Sequence, residues 1–265
     1  MAERLLLIRR EPQLLVDWWG QLGGGAEQLA AAYPKSMRIT VEPLASLVER
    51  DRAAARAPWW SARRWAGPPL QAQRDDAPLP SGVDLVWSNM MLHLVVDPPA
   101  LFERWQRMLA VDGFVMFSCL GPGTLRELRG LYARLGWPVP TPAFVDMHDL
   151  GDMLVHAGFA DPVMDQEVIT LHWRDAAAAL DELRTLGGNA SPHRHAGLRT
   201  PRWRARLLDA MQSLAGADGR PGLSFEIAYG HAFRAAPRVR VGDATTLSLE
   251  DMRGILRAGR TKPSR

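Results

Sequence analysis

The reading of the fold turns on residues 14–42, LLVDWWGQLGGGAEQLAAAYPKSMRITVE. Leu14-Leu-Val16 is a short apolar run closed by Asp17, and Met37-Arg-Ile-Thr-Val41 is a second closed by Glu42. Short apolar runs bounded by turn residues are the pattern of strands in a buried parallel sheet. Between them lie a turn carrying Gly20, Gly23, Gly24 and Gly25, a helical stretch over 26–33, and a turn at Pro34-Lys35-Ser36. Strand, glycine-rich turn, helix and strand make one βαβ unit with an acid at each strand end.

The rhythm continues outward. Residues 2–9 suit a short helix broken by Pro12, and 44–56 are helical. Residues 57–80, rich in Pro, Trp and Arg, read as an irregular loop with a short strand. Val83-Asp-Leu-Val-Trp-Ser88 is a strand ending at Asn89, and 99–110 form an amphipathic helix with Leu101, Phe102, Trp105, Met108 and Leu109 toward a core. Gly113–Cys119 is a further buried strand. Later come helices over 124–129, 149–158, 175–186 and 203–214, and strands over 163–173 and 223–229. The expected fold is a doubly wound α/β domain over 1–235, with 175–220 inserted as a small helical cap and 236–265 as a flexible tail.

Composition narrows the function classes. Of the 265 residues 47% are hydrophobic and 23% charged, enough to form a core and to exclude a wholly disordered chain. The net charge is +3, but five of the basic residues lie between Glu250 and Arg265. The remainder balances, so a nucleic-acid-binding body is not expected. No run of about 18 apolar residues marks a membrane span. The apolar run Leu5–Ile8 is too short for a signal-peptide core, which points to the cytoplasm. The single cysteine, Cys119, excludes an intrachain disulfide and reads as a small buried residue. His193 and His195 have no further ligand at metal-site spacing, so no metal is expected.

Ligands of open α/β sheets bind beyond the carboxyl ends of the strands. That singles out Asp17, Glu42 and Asn89, with glycines that let a backbone approach a ligand and a second acid able to accept from both ribose hydroxyls. Asp75 or Asp76 would lie at the third strand end, where the amine of an adenine needs an acceptor. The alternative is that Glu42 and the Asp75/Asp76 pair are solvated loop acids.

Several stretches carry a family resemblance. They are Val83–Asn89 with Met90-Met-Leu-His-Leu94, the segment Met108-Leu-Ala-Val-Asp-Gly113, and Phe117-Ser-Cys-Leu-Gly-Pro-Gly-Thr-Leu-Arg-Glu-Leu-Arg129. Val145–Asp152, Ala157–Met164 and Phe225-Glu-Ile-Ala-Tyr-Gly-His-Ala-Phe233 complete the set. Together these resemble the biotin-synthesis methyltransferases, the malonyl-acyl-carrier-protein O-methyltransferases, over residues 2–235. The resemblance implies a mostly parallel seven-stranded sheet and S-adenosylmethionine as cofactor. It also implies acyl carrier protein as partner and methylation of the free carboxylate of a malonyl thioester, which masks that charge from fatty-acid elongation enzymes. On this reading Asp17, Gly20, Gly23, Glu42, Asp75, Asp76, Asn89 and Met90 bind the cofactor. His93, Arg199, Arg202, Tyr229 and His231 are candidates for substrate contact, with packing as the other reading of the histidines and tyrosine.

The sequence departs from the family pattern D-x-G-x-G-x-G. Asp17-Trp-Trp-Gly-Gln-Leu-Gly23 has Trp19 and Gln21 at two glycine positions, where side chains would have to point away or fill the cofactor site. Gly20, Gly24 and Gly25 offer a shifted register. The family's longer N-terminal segment, a helix that closes over the cofactor, is expected to be curtailed, because only 16 residues precede Asp17; a protein partner would then supply the lid. These departures leave a catalytically inactive scaffold as the alternative function. Trp18, Trp19, Trp59 and Trp60 could stack on adenine or plug the site. The Arg194, Arg199, Arg202, Arg204, Arg206 cluster could meet the substrate carboxylate or dock an acidic carrier, or form a solvated basic face.

Overall fold

Seven strands pair in the order β3-β2-β1-β4-β5-β7-β6. They are β1 (Leu14–Trp18), β2 (Met37–Glu42), β3 (Gln71–Arg74), β4 (Val83–Ser88), β5 (Leu109–Leu120), β6 (Phe159–His172) and β7 (Gly222–Arg234). This computed structural model describes residues 1–8, 10–55 and 71–236. Trp59, Trp60 and nearly all of the C-terminal tail, 237–265, lie outside the described residues. Strands β1 to β5 are parallel, and β7 runs antiparallel between β5 and β6. Chain order reverses between β1 and β4, so the switch point lies at the carboxyl ends of those two strands. The doubly wound, mostly parallel sheet expected from the sequence is present.

The strands are apolar on both faces because helices cover both. On one face Val16, Trp18, Val86, Val115 and Phe117 pack with Leu101, Phe102 and Trp105 of α4 (Pro98–Met108) and Leu150 and Leu154 of α6 (Met147–His156). On the other, Leu15, Leu85, Trp87, Phe114 and Met116 meet Leu29 of α2 (Ala26–Ala32) and Leu5. Leu5 belongs to a 3-10 helical turn, Ala2–Leu7, where a short helix was expected. These first residues pack against a sheet face.

Helix starts follow local chemistry. Asp97 caps α4 by accepting the Ala100 N–H at 3.0 Å, with Pro98 and Pro99 in the first turn, where their missing N–H groups cost nothing. The apolar stripe Leu101, Phe102, Trp105, Met108 then falls on one side. Asp146 and Asp175 cap α6 and α7 (Ala176–Thr185) in the same way. Thr200 caps α8 (Pro201–Gln212). Helices α7 and α8 lie between β6 and β7 and share a separate apolar cluster with α5 (Arg126–Arg134), built on Leu128, Leu131, Ala179, Leu207, Met211 and Leu223. Strand β7 is longer than the sequence suggested, because pairing with β5 and β6 carries it on to Arg234. No described helix is long and apolar enough to cross a membrane. Cys119 is buried, and burial pushes its thiol up to about 12.

Trp105 is fully buried and lies edge-on to Trp18, with ring centroids 5.9 Å apart. Trp105→Ala is expected to cost roughly 3–5 kcal/mol, the range for emptying a large aromatic site. Urea unfolding will show this as a lower midpoint at unchanged slope.

Candidate functional site

The site is built at the carboxyl ends of β1, β2 and β3. Beyond β1 the Trp19 N–H donates to the Val41 carbonyl at 2.7 Å, prolonging the pairing with β2 by one residue. The chain then turns with Trp19 in the left-handed region, at φ 56°. That conformation costs a residue bearing a Cβ on the order of 1–2 kcal/mol. A single helical turn, α1 (Gly20–Gly23), follows where the sequence suggested an irregular loop, and α2 begins at Ala26.

Gly20 and Gly23 of this turn are needed for space. A Cβ on Gly20 would lie 2.5 Å from an Asp17 carboxylate oxygen. A Cβ on Gly23 would lie 1.7 Å from the Asn89 carbonyl oxygen, inside the end of β4. Asn89 fastens the contact: its Nδ2 donates to the Gly23 carbonyl at 2.7 Å. Its Oδ1 accepts from the Ser118 hydroxyl at 2.9 Å, and that hydroxyl in turn accepts the Met90 N–H at 3.0 Å. Met90 is a second left-handed residue, at φ 54°.

The three acids differ in what they meet. Asp17 is buried, and neither carboxylate oxygen has a hydrogen-bond partner among the described residues. Burial, with Asp51 adding repulsion and Arg38 opposing, raises it to about 7. Glu42 is 0% exposed and accepts the Gln21 N–H at 2.8 Å. Burial also raises it to about 7; the Gln21 N–H opposes the shift, while Asp51, Asp17 and Asp75 add to it. Asp75 accepts the Trp19 indole N–H at 3.1 Å. Asp76 instead turns outward to pair with Arg74, so Asp75 is the member of the pair that faces the crevice. Asp51 of α3 (Ala45–Ala55) accepts from the Gln21 side-chain amide and from Thr40.

Strand order locates the indole. Because β2 separates β1 from β3, a side chain leaving β1 and bonding just beyond β3 must pass over the end of β2, where Glu42 is buried. The acids fit the hydroxyls of a ribose and the amine of an adenine. In this conformation, however, Gln21 already serves Glu42 and Trp19 already serves Asp75.

Beside the crevice is a mostly apolar chamber of about 590 Å³, lined among others by Leu22, Met90, His93, Leu171, Trp173 and Leu186. The Leu120 N–H points at His93 Nδ1, 3.4 Å away, leaving Nε2 as the protonated nitrogen. Burial pushes His93 down to about 4, so the ring is neutral at ordinary pH. The described lining contains no arginine.

The other candidates do not converge there. Arg199 stacks on the Trp203 ring at 4.4 Å, and Arg202 and Arg206 are exposed one helical turn apart on α8. Tyr229 and His231 line a separate cavity of about 360 Å³ with Arg4 and Ile8. In the register of β7 Tyr229 lies opposite Ser118 and His231 opposite Met116, and both side chains line that cavity together with Met116. Asp51 and Ser118 complete the site without having been singled out from the sequence. Their spacing carries no motif, and only the fold brings them in.

Asp17 and Glu42 bind protons in the folded chain that they would release when unfolded between about pH 4 and pH 7. Each therefore removes stability as pH rises through that window, by up to about 1.4 kcal/mol per unit. The stability difference between Asp17→Asn and the parent chain is expected to grow in the variant's favour from pH 4 to pH 7 and then level off. Denaturant titrations at stepped pH will show the trend.

A family model described as "Methyltransferase domain" matches residues 21–117. The malonyl-acyl-carrier-protein O-methyltransferase of Gallionella capsiferriformans is 37% identical over 243 residues, covering 90% of this chain and 83% of that protein. That of Laribacter hongkongensis is 39% identical over 245 residues, covering 91% and 82%. Among solved structures, a SAM-dependent methyltransferase of Methanosarcina mazei superposes with a TM-score of 0.52 at 12% identity, covering 88% of this chain and 97% of that one. The cyclase SpnF gives 0.51 at 18% identity, covering 89% and 79%. Those two likenesses concern the fold alone, and a cyclase among them shows that the fold does not dictate the reaction.

Proposed function

The chain belongs to the malonyl-acyl-carrier-protein O-methyltransferase family, and we propose that it methylates the free carboxylate of a malonyl group carried as a thioester on acyl carrier protein, using S-adenosylmethionine, in biotin synthesis. The observation that carries this reading is the gathering of Asp17, Glu42 and Asp75 at the carboxyl ends of β1, β2 and β3, around a turn whose Leu22 lines a mostly apolar chamber that also holds His93. Acids at the strand ends suit a nucleoside. An apolar chamber suits an acyl group and excludes water from it.

A carboxylate is already a nucleophile at neutral pH, so the chain has to position and shield it rather than deprotonate it. Asn89, held by Gly23 and Ser118, ties the turn after β1 to the ends of β4 and β5. His93, neutral and with Nε2–H to offer, is a donor that can orient the acyl carbonyl or carboxylate, while Glu182 in the same lining accepts the Trp173 indole N–H. The exposed Arg202 and Arg206 lie outside the chamber and suit the acidic surface of a carrier protein. A second reading, a catalytically inactive scaffold, is favoured by one observation, the occupation of the crevice by Trp19.

Incubation with S-adenosylmethionine and malonyl-carrier protein is expected to leave the carrier one methyl ester heavier by intact-mass spectrometry. An unchanged carrier, together with no heat on titration of S-adenosylhomocysteine at millimolar concentration, would remove the enzyme reading. Reversing both helix charges, Arg202→Glu with Arg206→Glu, should raise KM for the malonyl carrier about tenfold, roughly 1.4 kcal/mol. Turnover of a small malonyl thioester should be unaffected, and the KM effect should fade in high salt.

A further inference from the structure

Three observations at the crevice belong together. The Trp19 indole reaches from β1 across the end of β2 to Asp75, covering the path a nucleoside would take. An indole and a purine are both flat, bicyclic groups able to donate an N–H, so Trp19 offers Asp75 what an adenine amine would offer it. At the same time the loop amide of Gln21 serves Glu42, the carboxylate that ribose hydroxyls would need. Beside the same turn, buried Asp17 has both oxygens without a partner among the described residues, close against Gly20.

A buried carboxylate without donors is costly. Here the turn's amide is committed to the neighbouring acid, and Trp19 is held at positive φ while it is so committed. The turn therefore has two alternative acceptors. In the observed state it bonds Glu42 and lays its indole on Asp75. In a second state its amides would bond Asp17, freeing Glu42 and Asp75 together. We propose that Trp19 is a built-in occupant of the adenine position, a gate that must swing out before a nucleoside cofactor enters, with Asp17 receiving the loop amides in the open state. The inference rests on the reading of this crevice as the cofactor site.

The test is titration of S-adenosylhomocysteine by calorimetry against the parent chain, Trp19→Gly and Trp19→Phe. In parallel, the Trp19 indole N–H resonance is followed by nitrogen-15 NMR, assigned through the Trp19→Phe spectrum. Removing the indole is expected to tighten binding at least tenfold. The phenyl ring, which keeps bulk but loses the bond to Asp75, should fall between. In the parent chain, saturating ligand should move the Trp19 indole resonance to a freely exchanging, solvent-exposed position. Equal or weaker binding by Trp19→Gly, or saturation of the parent chain with that resonance unmoved, overturns the gate. If the parent chain binds as tightly as Trp19→Gly, the gate falls and the methyltransferase reading stands. If none of the three binds, both fall. Should Trp19→Gly not fold, Trp19→Phe and the indole resonance decide the matter.

Discussion

The turn after β1 runs so close to the end of β4 that Gly23 has no room for a side chain, and the remaining geometry of the site depends on that contact. Asn89 joins the two segments through its amide, and Ser118 extends the join into β5. Three neighbouring strands thus end in one hydrogen-bonded seam. The acids gather beyond β1, β2 and β3, and the mostly apolar chamber is lined by Met90, Met91 and Leu120 after β4 and at the end of β5. Leu22 of the turn lines the same chamber.

Within the crevice, electrostatics and loop conformation are one problem. Asp17, Glu42, Asp51 and Asp75 gather around a single turn, and Glu42 feels the other three as repulsion. The turn answers with the donors it has: a backbone amide for Glu42, a side-chain amide for Asp51 and an indole for Asp75. A glycine at position 19 could serve as backbone but would remove the indole donor to Asp75. The left-handed conformation of Trp19 is thus tied to a specific contact, with the strain at the position offset by a hydrogen bond made elsewhere.

Much of the frame is legible in residue order. The apolar runs before Asp17 and Glu42 become β1 and β2, and the stripe of α4 buries the residues its spacing indicates. Trp19 and Gln21 stand out in the sequence as side chains where small residues are expected. Their destinations do not, because the indole's direction depends on a backbone angle and its partner lies 56 residues away. Tyr229 and His231 show a different gap. A strand pattern does not say what covers each sheet face, and both side chains line a cavity with Met116, Arg4 and Ile8 of the N-terminal segment. The arginines near residue 200 are adjacent in sequence, but helical rotation separates them, with Arg202 and Arg206 sharing a face of α8 and Arg204 pointing elsewhere. Asp75 and Asp76 are indistinguishable as neighbours in a sequence, and only the pairing with Arg74 tells them apart.

Crevice and chamber ask opposite things of what enters them. The chamber has mostly apolar walls, a neutral imidazole, the carboxylate of Glu182 and no arginine in its described lining, so an anionic carboxylate gains little there by itself. The crevice holds four carboxylates around one turn, two of them raised to about 7, chiefly by burial with neighbouring carboxylates adding to it. A positive charge brought to the seam would relieve the repulsion on one side and attract the anion on the other, strongly so in a site shielded from water. A sulfonium is such a charge. The excess of acid that makes the closed crevice costly is, on this argument, what favours pairing a cationic donor with a carboxylate acceptor across the Asn89 seam.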